Sequence, residues 1–183
     1  IPKPDAGGWN NAPVTVVFTG TDAVSGIEYC SSSFTVSEEG RNIPVSGYCM
    51  DYAGLSSTVT LTLNIDKTPP SISAARIPAA NVYGWANQNI SVSYTCGDSL
   101  SGVMLCPSAM LFSSEGLNIS TSAVVSDYAG NINQAAVNGI SIDKTKPNTV
   151  AALPGGLVNG WYNTGISIPL TSTDALSRAL LTN

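Results

Sequence analysis

Gly84-Trp85-Ala86-Asn87-Gln88-Asn89-Ile90-Ser91-Val92-Ser93-Tyr94-Thr95-Cys96 is the stretch on which the fold turns. From Ile90 onward apolar residues alternate with Ser and Thr, so Ile90, Val92, Tyr94 and Cys96 face one side, the period of a half-buried strand. The pattern stands 76 residues earlier as Gly8-Trp9 followed by Val14, Val16 and Phe18, and 76 residues later as Gly160-Trp161 followed by Ile166, Ile168 and Leu170. A unit that recurs at fixed spacing is an array, and a unit of this length can carry a small core of its own.

The rest of the unit recurs as well. Asp22-Ala-Val-Ser25-Gly26 matches Asp98-Ser-Leu-Ser101-Gly102, Asp51-Tyr52-Ala53-Gly54 matches Asp127-Tyr128-Ala129-Gly130, and Ile65-Asp66-Lys67-Thr68 returns as Ile142-Asp143-Lys144-Thr145. Ser-Gly supplies a turn with a residue that tolerates positive φ, and Asp-Tyr-Ala-Gly reads as a tight hairpin. Between these turns lie further alternating strands: Ile43, Val45, Gly47 and Cys49, then Val59, Leu61, Leu63 and Ile65. The last match is spaced 77 residues (142 − 65), one more than the others, which predicts a β-bulge between Val137 and Ile142. No 3.6-residue stripe occurs, so the chain is expected to be all-β: antiparallel β-sandwiches in tandem, with copies at 1–68, 69–145 and 146–183. Lys67-Thr68-Pro69-Pro70 and Lys144-Thr145-Lys146-Pro147 are the joints, and their prolines make them short and stiff.

Composition bounds the function. Of 183 residues 43% are hydrophobic, enough for packed cores, while 10% are charged, far below the usual quarter. A net charge of −5 with seven Lys and Arg leaves no basic stripe for phosphates, so no nucleic-acid partner is expected. No apolar run approaches the ~18 residues of a membrane span, so direct membrane insertion is not expected either. The first residue is Ile, which reads as a mature piece or an excised segment. Four cysteines fall two per copy, Cys30 with Cys49 and Cys96 with Cys106. An even count in a chain of extracellular style favours disulfides, and of the three connectivities this one keeps each bridge inside one copy. A zinc site has no C-x-x-C pair and no histidine to build on.

Calcium is the candidate ion, because Asp22, Asp51 and Asp66 recur as Asp98, Asp127 and Asp143, offering hard oxygens near the joints. Each aspartate also suits an Asx-turn or hairpin start, where it bonds backbone amides with no metal. No other cofactor is indicated. Trp9, Trp85 and Trp161 could stack sugars, but recurrence at one position per copy is what core or joint packing produces. With no histidine, catalysis lacks its commonest general base, and Glu38-Glu39 and Glu115 beside glycines read as solvated turn carboxylates, so the chain is not expected to be an enzyme. Asn89-Ile-Ser91 and Asn118-Ile-Ser120 match the N-glycosylation pattern.

The ordered set of Gly-Trp, alternating strand, Asp-x-x-Ser-Gly, Glu-Gly, Asp-x-Ala-Gly and Ile-Asp-Lys-Thr-x-Pro resembles the bacterial immunoglobulin-like repeats of large surface adhesins and exoproteins. The resemblance implies immunoglobulin-like sandwiches and an extracellular or cell-surface scaffold or adhesion role, with further copies of itself, other surface proteins or glycans as partners. On this reading the chain is a stiff spacer or a building block of a fibre or surface layer. The alternative is a non-catalytic, polysaccharide-binding accessory module of a secreted enzyme. Ile1-Pro2 aligns with Ile77-Pro78, so the first copy is expected to lack the strand that Ser71 to Arg76 provides in the second. Either the chain is a window onto a longer array, or the segment from Asn148 to Leu153 of one molecule enters the first copy of the next by strand addition.

Overall fold

In the computed structural model, which describes residues 7–178, the chain is all-β, with no helix among the described residues. The first copy supplies β1 (Val14–Val16), β2 (Ile27–Cys30), β3 (Phe34–Val36), β4 (Gly40–Asp51) and β5 (Ser56–Ile65). The second supplies β6 (Ser71–Ile77), β7 (Trp85–Ala86), β8 (Ile90–Gly97), β9 (Val103–Leu105), β10 (Met110–Phe112), β11 (Gly116–Asp127) and β12 (Ile132–Ile142). β13 (Asn148–Ala151) and β14 (Leu170–Thr173) follow. Ile1-Pro2 and the last five residues of the third copy lie outside the described residues.

The recurrence in sequence is a recurrence of strand pairing. β1 pairs β3 as β8 pairs β10, and the order β2-β4-β5 returns as β9-β11-β12, several sheets in an arrangement that fits a β-sandwich. One pairing corrects the wholly antiparallel expectation. Trp85 and Ala86 run parallel to Ser141 and Ile142 at the end of β12, and in the first copy Asn10 makes a parallel bridge to Ile65. The residues after each of these two Gly-Trp pairs thus lie along the last strand of their copy before the chain enters the other sheet.

The chain forms two compact units: Ile1–Ala75 with Tyr94–Ser108 and Ser122–Ala136, and Arg76–Ser93 with Ala109–Thr121 and Val137–Asn183. In the first unit Val14, Val16, Phe18, Val45, Leu63 and Ile65 form a buried cluster, with Cys30, Val36, Ile43 and Leu61 packed against it. These are the inward phases that the alternation predicts, and burying each such side chain contributes about 1.5–3 kcal/mol. Gly47 interrupts the apolar series of β4 because the Phe18 ring covers it: a Cβ there would stand 2.4 Å from Cε1. In the second unit Ile90, Val92, Ile140 and Ile142 are buried in the same phases.

One irregularity also recurs. Asn42 in β4 and Asn118 in β11 both adopt positive φ, 56° and 55°, and the register of β4 against β5 shifts between Gly40 and Ile43. Asparagine tolerates this conformation better than most side chains. β12 holds Gly139 at φ 71°, inside the interval where the extra residue was expected. A glycine in the left-handed region is the usual first residue of one bulge type. The third copy departs from expectation: its strand starts at Leu170, and Ile166, Ile168 and Leu170 are exposed. Among the described residues β14 pairs with β13 alone, and a two-strand ribbon offers no opposing sheet against which to bury them.

Both disulfides lie in the first unit. Cys30 bonds Cys49 across directly paired positions of β2 and β4, and Cys96 on β8 bonds Cys106 just past β9. Cys30 and Cys49 are 19 residues apart, so replacing both with Ala is expected to cost about 3 kcal/mol in urea unfolding, the loop-closure entropy returned to the unfolded chain. A loss under about 1 kcal/mol would mean that the bridge does not constrain the unfolded state in this way.

Candidate functional site

The Asp-x-x-Ser-Gly turn organises itself around its first carboxylate. Asp22 Oδ1 accepts the amides of Val24 (3.0 Å), Ser25 (2.7 Å) and Gly26 (2.9 Å) and the Ser25 hydroxyl (3.1 Å). Those backbone amides hold the Asp22 carboxyl below its ordinary value, with the Ser25 hydroxyl adding to them. Asp98 Oδ1 accepts from Leu100 (3.1 Å) and Gly102 (2.6 Å), and Asp174 Oδ1 from Leu176 (3.0 Å) and Ser177 (2.8 Å). The turn closes on a residue with positive φ: Gly26, Gly102 and, in the third copy, Arg178 at 63°. The Asp-x-Ala-Gly hairpins use their aspartates in the same manner, Asp51 Oδ1 accepting from Ala53 and Leu55, and Asp127 Oδ1 from Asn131. Local bonding therefore gives Oδ1 of Asp22, Asp51, Asp98 and Asp127 a role that needs no metal.

The joint aspartates do something further. In the first unit Asp66 is 0% exposed; its Oδ1 accepts the Thr68 amide (3.1 Å) and its Oδ2 the Ser101 amide (2.9 Å), which belongs to the Asp98 turn. In the second unit Asp143 repeats this, with Oδ1 taking the Thr145 amide (3.0 Å) and Oδ2 the Ser177 amide (3.1 Å). The Ser177 hydroxyl, with the amides of Thr145 and Ser177, holds the Asp143 carboxyl below its ordinary 3.8 against the opposing effect of burial. A carboxyl depressed in the folded state stabilises the fold above that ordinary value, and the contribution is lost as the pH falls through the folded value.

Asp66, Asp98 and Asp127 meet. One oxygen from each lies within 4.8 Å of the others, and Asp66 and Asp127 are buried. Among the described residues Asp22, Asp51 and Asp143 join no such group. Three carboxylates this close repel unless donors or a cation offset them. Part of the offset is Asn131, whose Nδ2 donates to Asp127 Oδ2 (2.9 Å) and to the carbonyl of Asp66 (2.8 Å). The donor set fits a hard cation: oxygens bound to calcium at 2.3–2.6 Å stand at most about 4.6–5.2 Å apart, which matches the observed group. Ser101, whose amide bonds Asp66, is 6% exposed, and its hydroxyl has no partner among the described residues.

Other residues hold the joints as well. Glu39 Oε1 accepts the Lys67 amide and the Thr68 hydroxyl while Lys67 Nζ donates to the carbonyl of Ser37 (2.7 Å). In the second unit Glu115 accepts the Lys144 amide and the Thr145 hydroxyl, and Lys144 Nζ donates to the carbonyl of Ser113. These glutamates are exposed, as expected of turn carboxylates, yet each clasps a joint, standing 28 residues before Lys67 in one copy and 29 before Lys144 in the other. Asn133 donates to the carbonyl of Pro70 (2.9 Å), and Arg41 donates to the carbonyl of Leu100 (3.1 Å) while its guanidinium lies 4.9 Å from the centre of the Trp9 ring. Trp9, 4% exposed under that arginine, packs rather than presenting a face; Trp85 is half-buried and Trp161 is 78% exposed. Asn89 and Asn118 are exposed.

Asn131→Ala is expected to cost about 1–3 kcal/mol, because it strips the partner from the Asp66 carbonyl and from a buried carboxylate at once. Asn133→Ala, at an exposed residue with one bond, is expected to cost about 1 kcal/mol or less, and equal losses in urea unfolding would place the joint's strength elsewhere. Compared with protein-family models, with curated proteins and with solved structures, the chain matches none.

Proposed function

We propose that the chain is a segment of an extracellular or surface-displayed structural protein, in which immunoglobulin-like repeats act as a stiff spacer or as building blocks of a fibre or surface layer. One observation carries the reading: the joint residues Asp66, Thr68 and Pro70 are bonded to Ser101, Asn131 and Asn133 of the following copy, so the linker is a packed part of the first unit. A solvated linker would leave adjacent copies free to pivot. One bonded at several points restricts them, and restricted angles summed over copies give reach. Two disulfides support an oxidising, extracellular setting, and among the described residues no helix is long and apolar enough to cross a membrane. The work of such a segment is mechanical, its partners being further copies, other surface proteins or glycans, and it needs no catalytic residue.

Calcium belongs to the same proposal. Asp66, Asp98 and Asp127 would hold the ion, and its charge would offset the three carboxylates. Because Asp66 belongs to the joint and the other two to the turns of the next copy, binding would favour one joint geometry over others.

Pulsed electron resonance between spin-labelled amino acids at the exposed Glu38 and Gln134 tests both parts. The account expects one narrow distance distribution, broadened by Asp66→Ala. It also expects the chelated wild type to narrow on adding calcium, and Asp127→Asn to abolish that response. A wild-type distribution as broad as that of Asp66→Ala contradicts the stiff joint, whereas a narrow one indifferent to calcium removes only the ion.

A further inference from the structure

Val59 lies in the inward phase of β5, with Leu61, Leu63 and Ile65, yet it is 53% exposed. It faces a cleft of about 550 Å³ in the first unit, walled on one side by the run from Val16 to Asp22 and on the other by Tyr48, Val59 and Leu61, with Asp51 and Asp22 at its lining. The copies show what fills this place. In the second copy β8 stands between β10 and β6, and in the third β14 has β13 beside it. In the first copy β1, the counterpart of β8, has β3 alone among the described residues. On β6 the half-buried residues are Ile72 and Ala74, and Ser71 donates to the carbonyl of Gly97 (2.8 Å), whose counterpart Thr21 lines the cleft.

The turn at the cleft tells the same story. Ser101 and Ser177 each give their amide to the joint aspartate preceding their copy, Asp66 and Asp143. Ser177 shares its amide with its own turn's Asp174, whereas Ser25, at the same position, gives its amide to its own turn's Asp22 and, among the described residues, to no joint aspartate. Residues 65–77 carry Lys67 and Arg76 against Asp66, a net charge of +1 (2 − 1), and the cleft offers two carboxylates.

We infer that this cleft is a strand-acceptor groove whose occupant is a joint-and-strand segment of the repeat's own type, Ile-Asp-Lys-Thr-x-Pro followed by alternating apolar residues, as in residues 65–77. The occupant lies beside β1 and adds a third strand to its sheet, with backbone bonds giving affinity and the alternate side chains at the positions of Ile72 and Ala74 giving specificity. Its aspartate takes the Ser25 amide. An open strand edge beside exposed apolar residues is a liability in a secreted chain, and a dedicated occupant removes it.

The inference does not depend on the spacer or calcium readings, and its test leaves the joints intact and runs in chelator. A synthetic peptide of residues 65–77 is titrated calorimetrically into the full chain, with sedimentation velocity of the chain alone and with peptide. Expected are a monomer, saturable 1:1 binding, at least tenfold weaker binding of a peptide carrying Ile72→Asp and Ala74→Asp, and at least tenfold weaker binding to the chain carrying Val59→Lys. Val59 is already exposed, so that variant should fold, and its circular dichroism melt checks this. No binding at millimolar peptide, equal binding of the substituted peptide, or self-association that the peptide does not reverse would each overturn the inference, the last by showing that a second copy covers this edge in another way.

Discussion

A carboxylate with no exposed surface has to be hydrogen-bonded, and Asp66 meets that constraint by accepting amides from both sides of a joint. Much of the first unit is arranged around this fact. The Asp98 turn presents the Ser101 amide, the hairpin at Asp127 presents Asn131, and Glu39 clasps the residues that follow Asp66. Breaking one partner leaves the others buried and unsatisfied, so these groups act together.

That interdependence explains why the compact units do not coincide with the repeats in sequence. The first unit gathers the whole first copy with Tyr94–Ser108 and Ser122–Ala136 of the second, the parts that carry Ser101, Asn131 and Asn133. A repeat is defined by descent of its sequence pattern; a compact unit is defined by where bonds and packing are dense. Here the joint is dense, and the density comes from polar groups that a sandwich core does not otherwise use.

The alternation made the strands legible before any coordinates: Val14, Val16, Val45, Leu63, Ile90 and Val92 are buried in the phases that period two assigns. The pairing of Cys30 with Cys49 and of Cys96 with Cys106 is the one that keeps each bridge within a copy. The site was half legible. Recurrence marked the six aspartates but could not tell which converge, since Asp66, Asp98 and Asp127 come together only once the joint folds back on the next copy. Glu39 was legible only as a solvated turn carboxylate, and Arg41 and Asn131 carried no signal, because their bonds to the Lys67 amide, the Leu100 carbonyl and the Asp66 carbonyl involve backbone groups, which leave no mark on side-chain spacing. The parallel run of Trp85 and Ala86 left no pattern either, since two residues are too few to show a period. Ile166 and Ile168 show the converse, a clear alternation left exposed where the described third copy has no opposing sheet.

Amide hydrogen exchange resolved at Ser25 and Ser101 tests the central claim most directly. The two serines occupy the same position of the same turn, but only Ser101 donates to a buried joint carboxylate. The account predicts that the Ser101 amide exchanges at least a hundredfold more slowly than that of Ser25, and that Asp66→Ala erases most of the difference while the strands stay protected. Equal exchange at the two amides in the wild type would contradict it.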